Sequence, residues 1–402
     1  FMLERINIVG NNVTNDDVIR SEMLVDEGDP YSAILINKSI NNLRAKRLFG
    51  KIDQKITEGS LPDLKVLEIS VEEQATGEIS AGAGIGTNGT SFQFAVTENN
   101  WLGKGIGVET SLNISAENLT GGISINDPNY KYSGNSLFGT FSVSQSDYKD
   151  TSGYKSNKTG ISGGSKFEQY ENIYFAPSLA FIYEDISITS KASSSVKKMG
   201  GTFTNLDFTY SITNDRRDQA YQTNEGYYTK FVQSIPLYID NSSFLNGVDI
   251  NKYHTFSDDI KGIAKFYGRA ILGVDEDVRL TERLHIPVNR IRGFESRKLG
   301  PKDGTDFIGG NYASALSFES QFPNLLPEDT KTDISLFADI ANLWSVDYDS
   351  QLDSSNKIRS SVGMSANVYT MIGPLSFTLA KSISKAKTDI TQAFAFRLGT
   401  SF

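Results

Sequence analysis

Histidine and cysteine, two residue types common in catalytic and metal sites, are scarce in this sequence and do not group into a catalytic set. The sequence has 2 histidines, His254 and His285, and no cysteine. It therefore has no thiolate metal site, and its histidines lack the spacing of metal ligands. His254 with Ser257 could form part of a nucleophile pair, but no third group that would orient the base is evident. The residues predict neither a catalytic site nor a metal site.

A glycine pattern, Gly84-x-Gly86-x-x-Gly89, has the spacing of a dinucleotide-binding fingerprint. That fingerprint requires a strand before the glycines and a helix after them. Here the glycines lie between two predicted strands, so we interpret the pattern as a flexible hairpin and expect no cofactor.

The most informative chemical group is the guanidinium of Arg292, in the stretch Ile291-Arg292-Gly293-Phe294. This stretch lies in a Gly- and charge-rich interval, roughly 275 to 310, and a loop of that length is usually functional or disordered. A guanidinium can fork onto carboxylates, and a glycine permits a sharp backbone turn. We expect an ordered loop anchored by Arg292. The alternative is a loop that extends into the medium with Arg292 solvated.

The elements that position this loop are predicted to be membrane strands. The 402 residues include 18 Tyr, 24 Phe and 35 Gly, and no stretch approaches the ~18 consecutive apolar residues of a spanning helix. Alternation of apolar and polar residues over most of the length favours a closed β-barrel. A soluble all-β sandwich is the competing interpretation. The net charge of -9 argues against a nucleic-acid partner.

Residues 1–76 differ from the rest and predict a small α/β domain of β-α-α-β-β order. Thr14 with Asp17 has the pattern of a capping box, which predicts a first helix through about Val25. A second helix is predicted to start at Asp29-Pro30-Tyr31-Ser32, and strands are predicted at 51–57 and 64–72.

Residues 77–402 predict a 16-stranded antiparallel transmembrane β-barrel, with the interval at about 275–310 folded into its lumen. An even strand count permits closure, which removes the edges that an open sheet would expose. The predicted strands are 78–86, 90–98, 105–115, 119–126, 136–148, 155–168, 173–185, 200–214, 225–236, 249–259, 261–274, 311–322, 331–341, 358–369, 374–384 and 391–402.

Two acidic side chains on the strands after the interval are predicted to face the lumen. Glu319 falls on the small-residue face of its strand, opposite an aromatic and aliphatic face suited to lipid. Asp339 falls on the polar face of the next strand. We expect Arg292 to bridge Glu319 and Asp339.

The first and last barrel strands are predicted to form a weak seam, because glycine in a strand interior weakens pairing. On the first strand the seam residues are Ile79, Gly82, Gly84 and Gly86. On the last strand they are Phe394, Phe396, Leu398, Gly399 and Phe402.

Several motifs together resemble one family. The opening Glu4-Arg5-Ile6-Asn7-Ile8-Val9-Gly10-Asn11 is similar to that of a POTRA domain, and the turns Asn100-Trp101-Leu102-Gly103 and Asn126-Asp127-Pro128 resemble early barrel turns. Ile291-Arg292-Gly293-Phe294 fits the (Val/Ile)-Arg-Gly-(Phe/Tyr) loop signature. Phe337 to Trp344 resembles a Phe-x-Asp-x-Gly-x-x-Trp strand, with Ala341 in place of the glycine. The whole chain thus resembles the last POTRA domain and barrel of the BamA family of outer-membrane assembly factors.

The resemblance implies folding and insertion of other outer-membrane barrels, without covalent chemistry or nucleotide. It implies as partners nascent β-barrel proteins, periplasmic lipoprotein subunits, periplasmic chaperones and outer-membrane lipid. It also implies location in the bacterial outer membrane, with the N-terminal domain in the periplasm. No signal peptide precedes Phe1, so we expect a mature protein that begins inside a longer precursor.

Two other classes of barrel remain open. A two-partner secretion transporter or another POTRA-barrel translocator would share the loop signature and export a polypeptide through the lumen. A passive porin or receptor barrel would need neither the N-terminal domain nor the Arg292 loop.

Overall fold

The computed structural model describes residues 1–220, 223–240, 243–323, 325–327, 330, 332–352, 356–370 and 373–399. Their strands form a three-stranded sheet, a closed barrel and a two-stranded ribbon. The chain forms two compact units, of which the first comprises residues 1–80, 95–110 and 123–139, and the second comprises 81–94, 111–122 and 140–402. No helix in this described part of the chain is long and apolar enough to cross a membrane.

The N-terminal domain has the predicted β-α-α-β-β order. Its elements are β1 (Met2–Val9), α1 (Asp16–Arg20), α2 (Ala33–Ala45), β2 (Phe49–Glu58) and β3 (Leu64–Glu73). The central strand, β3, is parallel to β1 and antiparallel to β2. One apolar core joins the sheet to both helices and includes Leu3, Ile6, Val18, Ile19, Ile36, Ile40, Leu43, Leu67, Ile69 and Val71.

The first helix is shorter than predicted, and the predicted capping box is wrong. α1 ends at Arg20 rather than near Val25, and its N-cap is Asn15. The backbone N–H of Thr14 donates to Glu73 Oε1 at 2.5 Å, and the Thr14 hydroxyl accepts a hydrogen bond from Asn100 Nδ2 at 2.9 Å. Because these longer-range partners engage Thr14, its side chain does not cap the helix. At the second helix, Ser32 caps α2 by accepting from the Leu35 N–H at 3.4 Å.

Sixteen strands form the closed barrel, which confirms the predicted number. They are β4 (Gly77–Gly86), β5 (Gly89–Trp101), β6 (Ile106–Ser115), β7 (Asn118–Asp127), β8 (Ser136–Tyr148), β9 (Tyr154–Tyr170), β10 (Ile173–Ile188), β11 (Gly201–Asp215), β12 (Gly226–Ile239), β13 (Ser243–Ser257), β14 (Ile260–Gly273), β17 (Tyr312–Phe322), β18 (Thr332–Trp344), β19 (Arg359–Thr370), β20 (Gly373–Ser384) and β21 (Phe394–Gly399). A short helix, α3 (Lys149–Ser152), lies between β8 and β9, and 3-10 turns occur at Tyr130–Tyr132, Val196–Met199 and Ser350–Leu352.

The two faces of β18 show how the barrel sorts its side chains. Phe337 and Asp339 are buried, whereas Leu336 just before this pair and Ile340 just after it are exposed. Successive side chains of a strand point to opposite faces, so the acidic residue faces inward and the large aliphatic residues face outward. This arrangement, with an apolar exterior and a polar interior, is that of a transmembrane barrel rather than a sandwich.

The residues between β14 and β17 form a loop whose apolar side chains are buried against barrel strands. It contains the two-stranded ribbon of β15 (Lys302–Asp303) and β16 (Asp306–Phe307) and is otherwise irregular. We call residues 275–310 the inserted loop. Its apolar residues form a buried cluster with side chains of β17 and β18, which comprises Ile286, Ile291, Phe294, Leu299, Ala313, Ala315, Ala341 and Leu343.

Candidate functional site

Arg292 of the inserted loop is bonded to Asp339 of β18 through three N–H groups. Its Nε donates to Asp339 Oδ2 and its Nη2 to Asp339 Oδ1, each at 2.8 Å, while its own backbone N–H donates to Oδ2 at 2.9 Å. Asp339 is fully buried. The arrangement is the bidentate fork that only a guanidinium can form with a carboxylate.

The same guanidinium reaches β17. Its Nη1 donates to Glu319 Oε2 at 3.1 Å, and its Nη2 donates to Ser317 Oγ at 3.1 Å. Ser317 lies directly opposite Asp339 in the β17–β18 ladder, and its hydroxyl donates to Asp339 Oδ1 at 2.6 Å. The structure thus brings Arg292, Glu319 and Asp339 together within hydrogen-bond distance.

An aromatic ring completes the surroundings of Arg292. Phe337 lies opposite Glu319 in the ladder, and the guanidinium carbon of Arg292 is 3.5 Å from the centre of its ring. A cation over an aromatic face is attracted by the ring quadrupole, most strongly where water is excluded. Phe337 was not among the predicted site residues, although its position two residues before Asp339 places it on the same face.

Gly293 lies against β20 of the barrel, and Phe294 contacts the segment before β21. Gly293 has φ of +89°, and a Cβ there would lie 3.1 Å from the Ala380 Cβ on β20. The Ser361 hydroxyl of β19 donates to the Arg292 carbonyl at 2.6 Å. Phe294 is buried and forms a bridge with Thr391. The glycine is therefore needed for both the turn and the close approach to β20.

Ala341, where the strand departs from the family pattern, belongs to the buried cluster beneath the loop. It lies opposite Ala315 in the β17–β18 ladder. Ile291, the first residue of the signature, packs in the same cluster. The extra methyl group is thus accommodated within the packed region.

Three further arginines of the inserted loop bind acidic side chains on or near the barrel wall. Arg279 Nη1 lies 3.7 Å from Glu184 Oε2 of β10, Arg290 Nη2 lies 3.1 Å from Asp249 Oδ1 of β13, and Arg283 Nη2 lies 2.5 Å from Asp347 Oδ1 after β18. These side chains are mostly or fully buried. The loop is consequently held at several points of its length, and the sequence analysis identified only the point at Arg292.

Another buried ion pair was missed by the sequence analysis. Arg359, at the start of β19, donates to Asp389 in a fork, from Nε to Oδ2 at 2.9 Å and from Nη2 to Oδ1 at 3.1 Å. Both side chains are fully buried. Asp389 lies in the turn between β20 and β21, and no periodicity or motif there distinguishes it from a solvated turn residue.

The two histidines lie apart and in different surroundings. His254 is exposed and its Nδ1 lies 3.2 Å from Glu225, while His285 is partly buried in the inserted loop. Burial lowers the pKa of His285 well below its ordinary value, and the nearby charge of Arg297 acts in the same direction. Within the described ranges, no group of three acidic or histidine side chains could hold a metal ion.

The seam between β4 and β21 has few pairs among the residues that the structure describes. Three residue pairs join the strands over the residues described: Arg397 with Gly86, Leu398 with Ile85, and Gly399 with Gly84. β21 begins at Phe394 rather than at the predicted residue 391, because residues 389–392 are bonded to the inserted loop instead.

The predicted seam residues are distributed unevenly along these strands. Phe396 bonds through its backbone to Thr87, and Phe394 stacks on Phe377 of β20. Ile79 and Gly82 belong to β4 but precede the residues of the three described pairs. Phe402 lies outside the described residues.

At Gly86 and Gly399 the backbone of the neighbouring strand lies very close. Gly399 has φ of +140°, and a Cβ on it would collide with the backbone of Ala83 and Gly84. A Cβ on Gly86 would lie 2.6 Å from the Phe396 carbonyl oxygen. Larger side chains cannot be accommodated here without separating the strands.

A cavity of about 650 Å³ connects the loop signature to the seam. Arg292, Gly293 and Phe294 line it from the inserted loop, and Gly84 and Arg397 line it from the two seam strands. The loop signature and the interior side of the seam therefore face the same cavity.

Comparisons with known proteins agree with this architecture. Residues 100–402 match the Omp85 superfamily domain, and residues 1–74 match a POTRA model described as a surface antigen variable number repeat. The chain is 25% identical to the outer membrane protein assembly factor BamA of Neisseria meningitidis, over 100% of this chain and 56% of the relative. It is 24% identical to BamA of Neorickettsia risticii, over 100% of this chain and 55% of the relative. The chain thus spans about half the length of these curated relatives.

Solved structures show the same fold. A crystal structure of BamA from Haemophilus ducreyi lacking POTRA domains 1–3 is similar with a TM-score of 0.90 and 21% identity, covering 100% of this chain and 85% of that chain. CdiB from Escherichia coli is less similar, with a TM-score of 0.60 and 13% identity over 99% of this chain and 76% of that one. The barrel lies in the bacterial outer membrane. With the family model matching most of its length, this chain belongs to the Omp85 superfamily.

Proposed function

We propose that this protein folds and inserts β-barrel proteins into the outer membrane, and that substrate strands enter at the seam between β4 and β21. The observation that carries this proposal is the small number of seam pairs among the described residues. Three pairs join β4 to β21 over the described residues, against 14 pairs between β10 and β11. A ladder with few hydrogen bonds opens at the lowest free-energy cost.

Opening the seam would leave backbone groups of β4 and β21 without hydrogen-bond partners. Lipid offers no hydrogen bonds to the exposed N–H and C=O groups of a strand edge. An incoming substrate strand can satisfy these groups by adding to the edge, as in β-augmentation. The free energy of the new pairing then drives insertion, without covalent chemistry, nucleotide or cofactor.

The names of the curated relatives support this role, since they are called outer membrane protein assembly factors. By the same analogy, the proposed partners are nascent outer-membrane β-barrel proteins, periplasmic lipoprotein subunits, periplasmic chaperones and outer-membrane lipid. The N-terminal domain, proposed to comprise residues 1–76, would present nascent chains to the barrel of residues 77–402.

A reversible lock across the seam tests the proposal. Ile85→Cys with Leu398→Cys places two thiols on directly opposed residues. Opposed residues of antiparallel strands have Cα atoms about 4.5–5.5 Å apart, within the range of a disulfide. The sequence has no other cysteine. We expect the oxidised complete protein to lose assembly of a barrel substrate in proteoliposomes, and reduction to restore it.

A lock in another ladder provides the matched control. Leu179→Cys with Phe208→Cys joins opposed residues of β10 and β11. This disulfide should leave assembly unchanged, because it does not cross the seam. Full activity of the protein with the seam locked would contradict the proposal. It would favour the alternative, in which a polypeptide passes through the lumen without lateral opening.

A further inference from the structure

The turn between β20 and β21 is bound to the inserted loop as though it were another strand. The Glu295 N–H donates to the Ile390 carbonyl at 3.0 Å, and the Ile390 N–H donates to the Lys298 carbonyl at 2.9 Å. The Gln392 N–H donates to the Gly293 carbonyl at 3.0 Å. The loop that carries the Arg292 signature therefore holds the backbone immediately before the last strand.

Asp389 is the side chain that fastens this turn. Besides the fork from Arg359, it accepts a hydrogen bond from the Gly300 N–H at 3.1 Å and one from the Ala386 N–H at 2.6 Å. One buried carboxylate thus joins β19, the inserted loop and the turn itself. We call Arg359, Asp389 and the segment 386–392 the clasp.

Arg359 connects the clasp to the wall beside the loop signature. Its Nη1 donates to Asn342 Oδ1 at 3.0 Å and lies 3.4 Å from the Leu343 carbonyl oxygen, both on β18. β18 also carries Asp339, the partner of Arg292. The first fork therefore binds the inserted loop to β18, whereas the second joins β19 to the turn and contacts β18 through Asn342 and Leu343.

The clasp lies directly before β21, which is one of the two strands of the seam. β21 starts at Phe394, two residues after Gln392, and its described pairs with β4 lie at residues 397–399. The described part of the last strand thus follows the clasp directly, pairs with β20 over residues 394–398 and pairs with β4 at residues 397–399. Loss of the clasp should loosen the pairing with β4.

We infer that Arg359 and Asp389 are positioning residues of the seam, which hold the start of β21 against the inserted loop so that the strand stays in register while it opens and closes. This inference rests on the proposed function only because it assumes that the seam opens for substrate strands. The attachment itself can be measured without any assembly assay.

Hydrogen exchange of the complete protein in lipid, with and without Asp389→Asn, tests the inference. Removing one partner of a buried ion pair is strongly destabilising, because the other charge remains buried and unpaired. We expect the amides of residues 394–399 to exchange at least about tenfold faster in this variant, while the amides of β12 and β13 keep their rates. Unchanged exchange at 394–399 in the folded variant would overturn the inference.

A control and a milder variant make the result specific. Asp347→Asn breaks the pair with Arg283 in the same loop, but Asp347 lies away from the clasp, so exchange at 394–399 should stay unchanged. If Asp389→Asn does not fold, Arg359→Lys keeps the charge and loses only the fork, and it should give a smaller acceleration at the same residues.

The unaltered protein supplies a second measurement. The amides of Glu295, Ile390 and Gln392 should exchange at similar rates, because one clasp protects all three. Rapid exchange of Ile390 and Gln392 beside a protected Glu295 would overturn the inference even without a variant. If Asp389→Asn loosens β21 and the locked seam still supports assembly, the clasp stands and the proposed function fails.

Discussion

Arg292 donates three hydrogen bonds to the single carboxylate of Asp339, two from its guanidinium and one from its own backbone N–H. The backbone bond fixes where the chain passes, and the fork fixes the direction of the side chain. The carboxylate therefore specifies both the position of the loop and the orientation of Arg292. A point charge alone would specify neither.

Arg292→Lys should therefore destabilise the loop although it keeps the charge. An ammonium cannot form the fork, and each lost hydrogen bond to a charged group costs about 1.5–3 kcal/mol. Arg292→Ala should cost about 3–5 kcal/mol, since it leaves Asp339 buried and unpaired. Urea unfolding in vesicles, followed by the fluorescence of the two tryptophans, Trp101 and Trp344, measures the loss.

Arg290→Lys is the matched control, because Arg290 lies in the same loop and has one ion-pair contact, with Asp249, rather than a fork. An ammonium can replace a single contact, so the change in unfolding free energy should be small. Equal losses for both lysine variants would refute the special role assigned to the fork.

Gly293→Ala should also destabilise the loop. The residue has φ of +89°, and the new methyl group would lie 3.1 Å from the Ala380 Cβ. Holding a residue other than glycine in such a conformation costs about 1–3 kcal/mol, and the contact adds to it. The same urea experiment measures the sum.

Gly304→Ala separates the two contributions. Gly304 also has positive φ, +59°, but its nearest neighbour to a new Cβ is Ser193 Cβ at 3.8 Å, an ordinary contact. The loss of unfolding free energy in Gly304→Ala should therefore come from the backbone conformation alone and be smaller than that in Gly293→Ala. If Gly304→Ala costs as much as Gly293→Ala, the packing of Gly293 against β20 has no energetic role.

Strand alternation was sufficient to predict the barrel and the faces of its residues. Glu319 and Asp339 could be assigned to the interior because period two is a property of the backbone. Their partner could be named because Arg292 was the arginine of a recognisable loop signature. The residue types alone set this part of the site.

The clasp could not be predicted in the same way. Asp389 lies in a turn, where no periodicity assigns a side chain to either face, and its partner Arg359 is 30 residues away at the start of a strand. The inserted loop also binds Asp389, through the Gly300 N–H, and no sequence pattern predicts that contact. Thr14 failed as a helix cap for the same reason, since its partners Glu73 and Asn100 are distant in sequence.

The contact of Thr14 with Glu73 predicts a pH dependence of the N-terminal domain. Burial acts to raise the pKa of Glu73, but hydrogen bonds from the Thr14 side chain and from backbone N–H groups outweigh it and hold the pKa below its ordinary value of 4.5. A depressed pKa in the folded state stabilises the fold above the unfolded pKa. That contribution is lost as the pH falls from about 4.5 through the folded pKa.

Protection of the Val13 and Thr14 amides, corrected for the intrinsic exchange rate at each pH, measures this effect. Protection should fall as the pH is lowered below 4.5, and Glu73→Gln should remove the dependence. Glu68→Gln on the same strand should leave it unchanged. A pH dependence that survives Glu73→Gln would assign it to another group.

The last prediction concerns the unmodified seam. In the complete protein in lipid, the amides of β21 and of residues 84–86 should exchange faster than those of β12 and β13, which nine register pairs join. Amides exchange through local opening, and opening costs less where fewer hydrogen bonds must break together. The difference should be largest toward Gly399 and smallest next to the clasp. A uniform rate across the barrel would remove the physical reason for placing substrate entry at this seam, since the strands would then have no preferred point of separation.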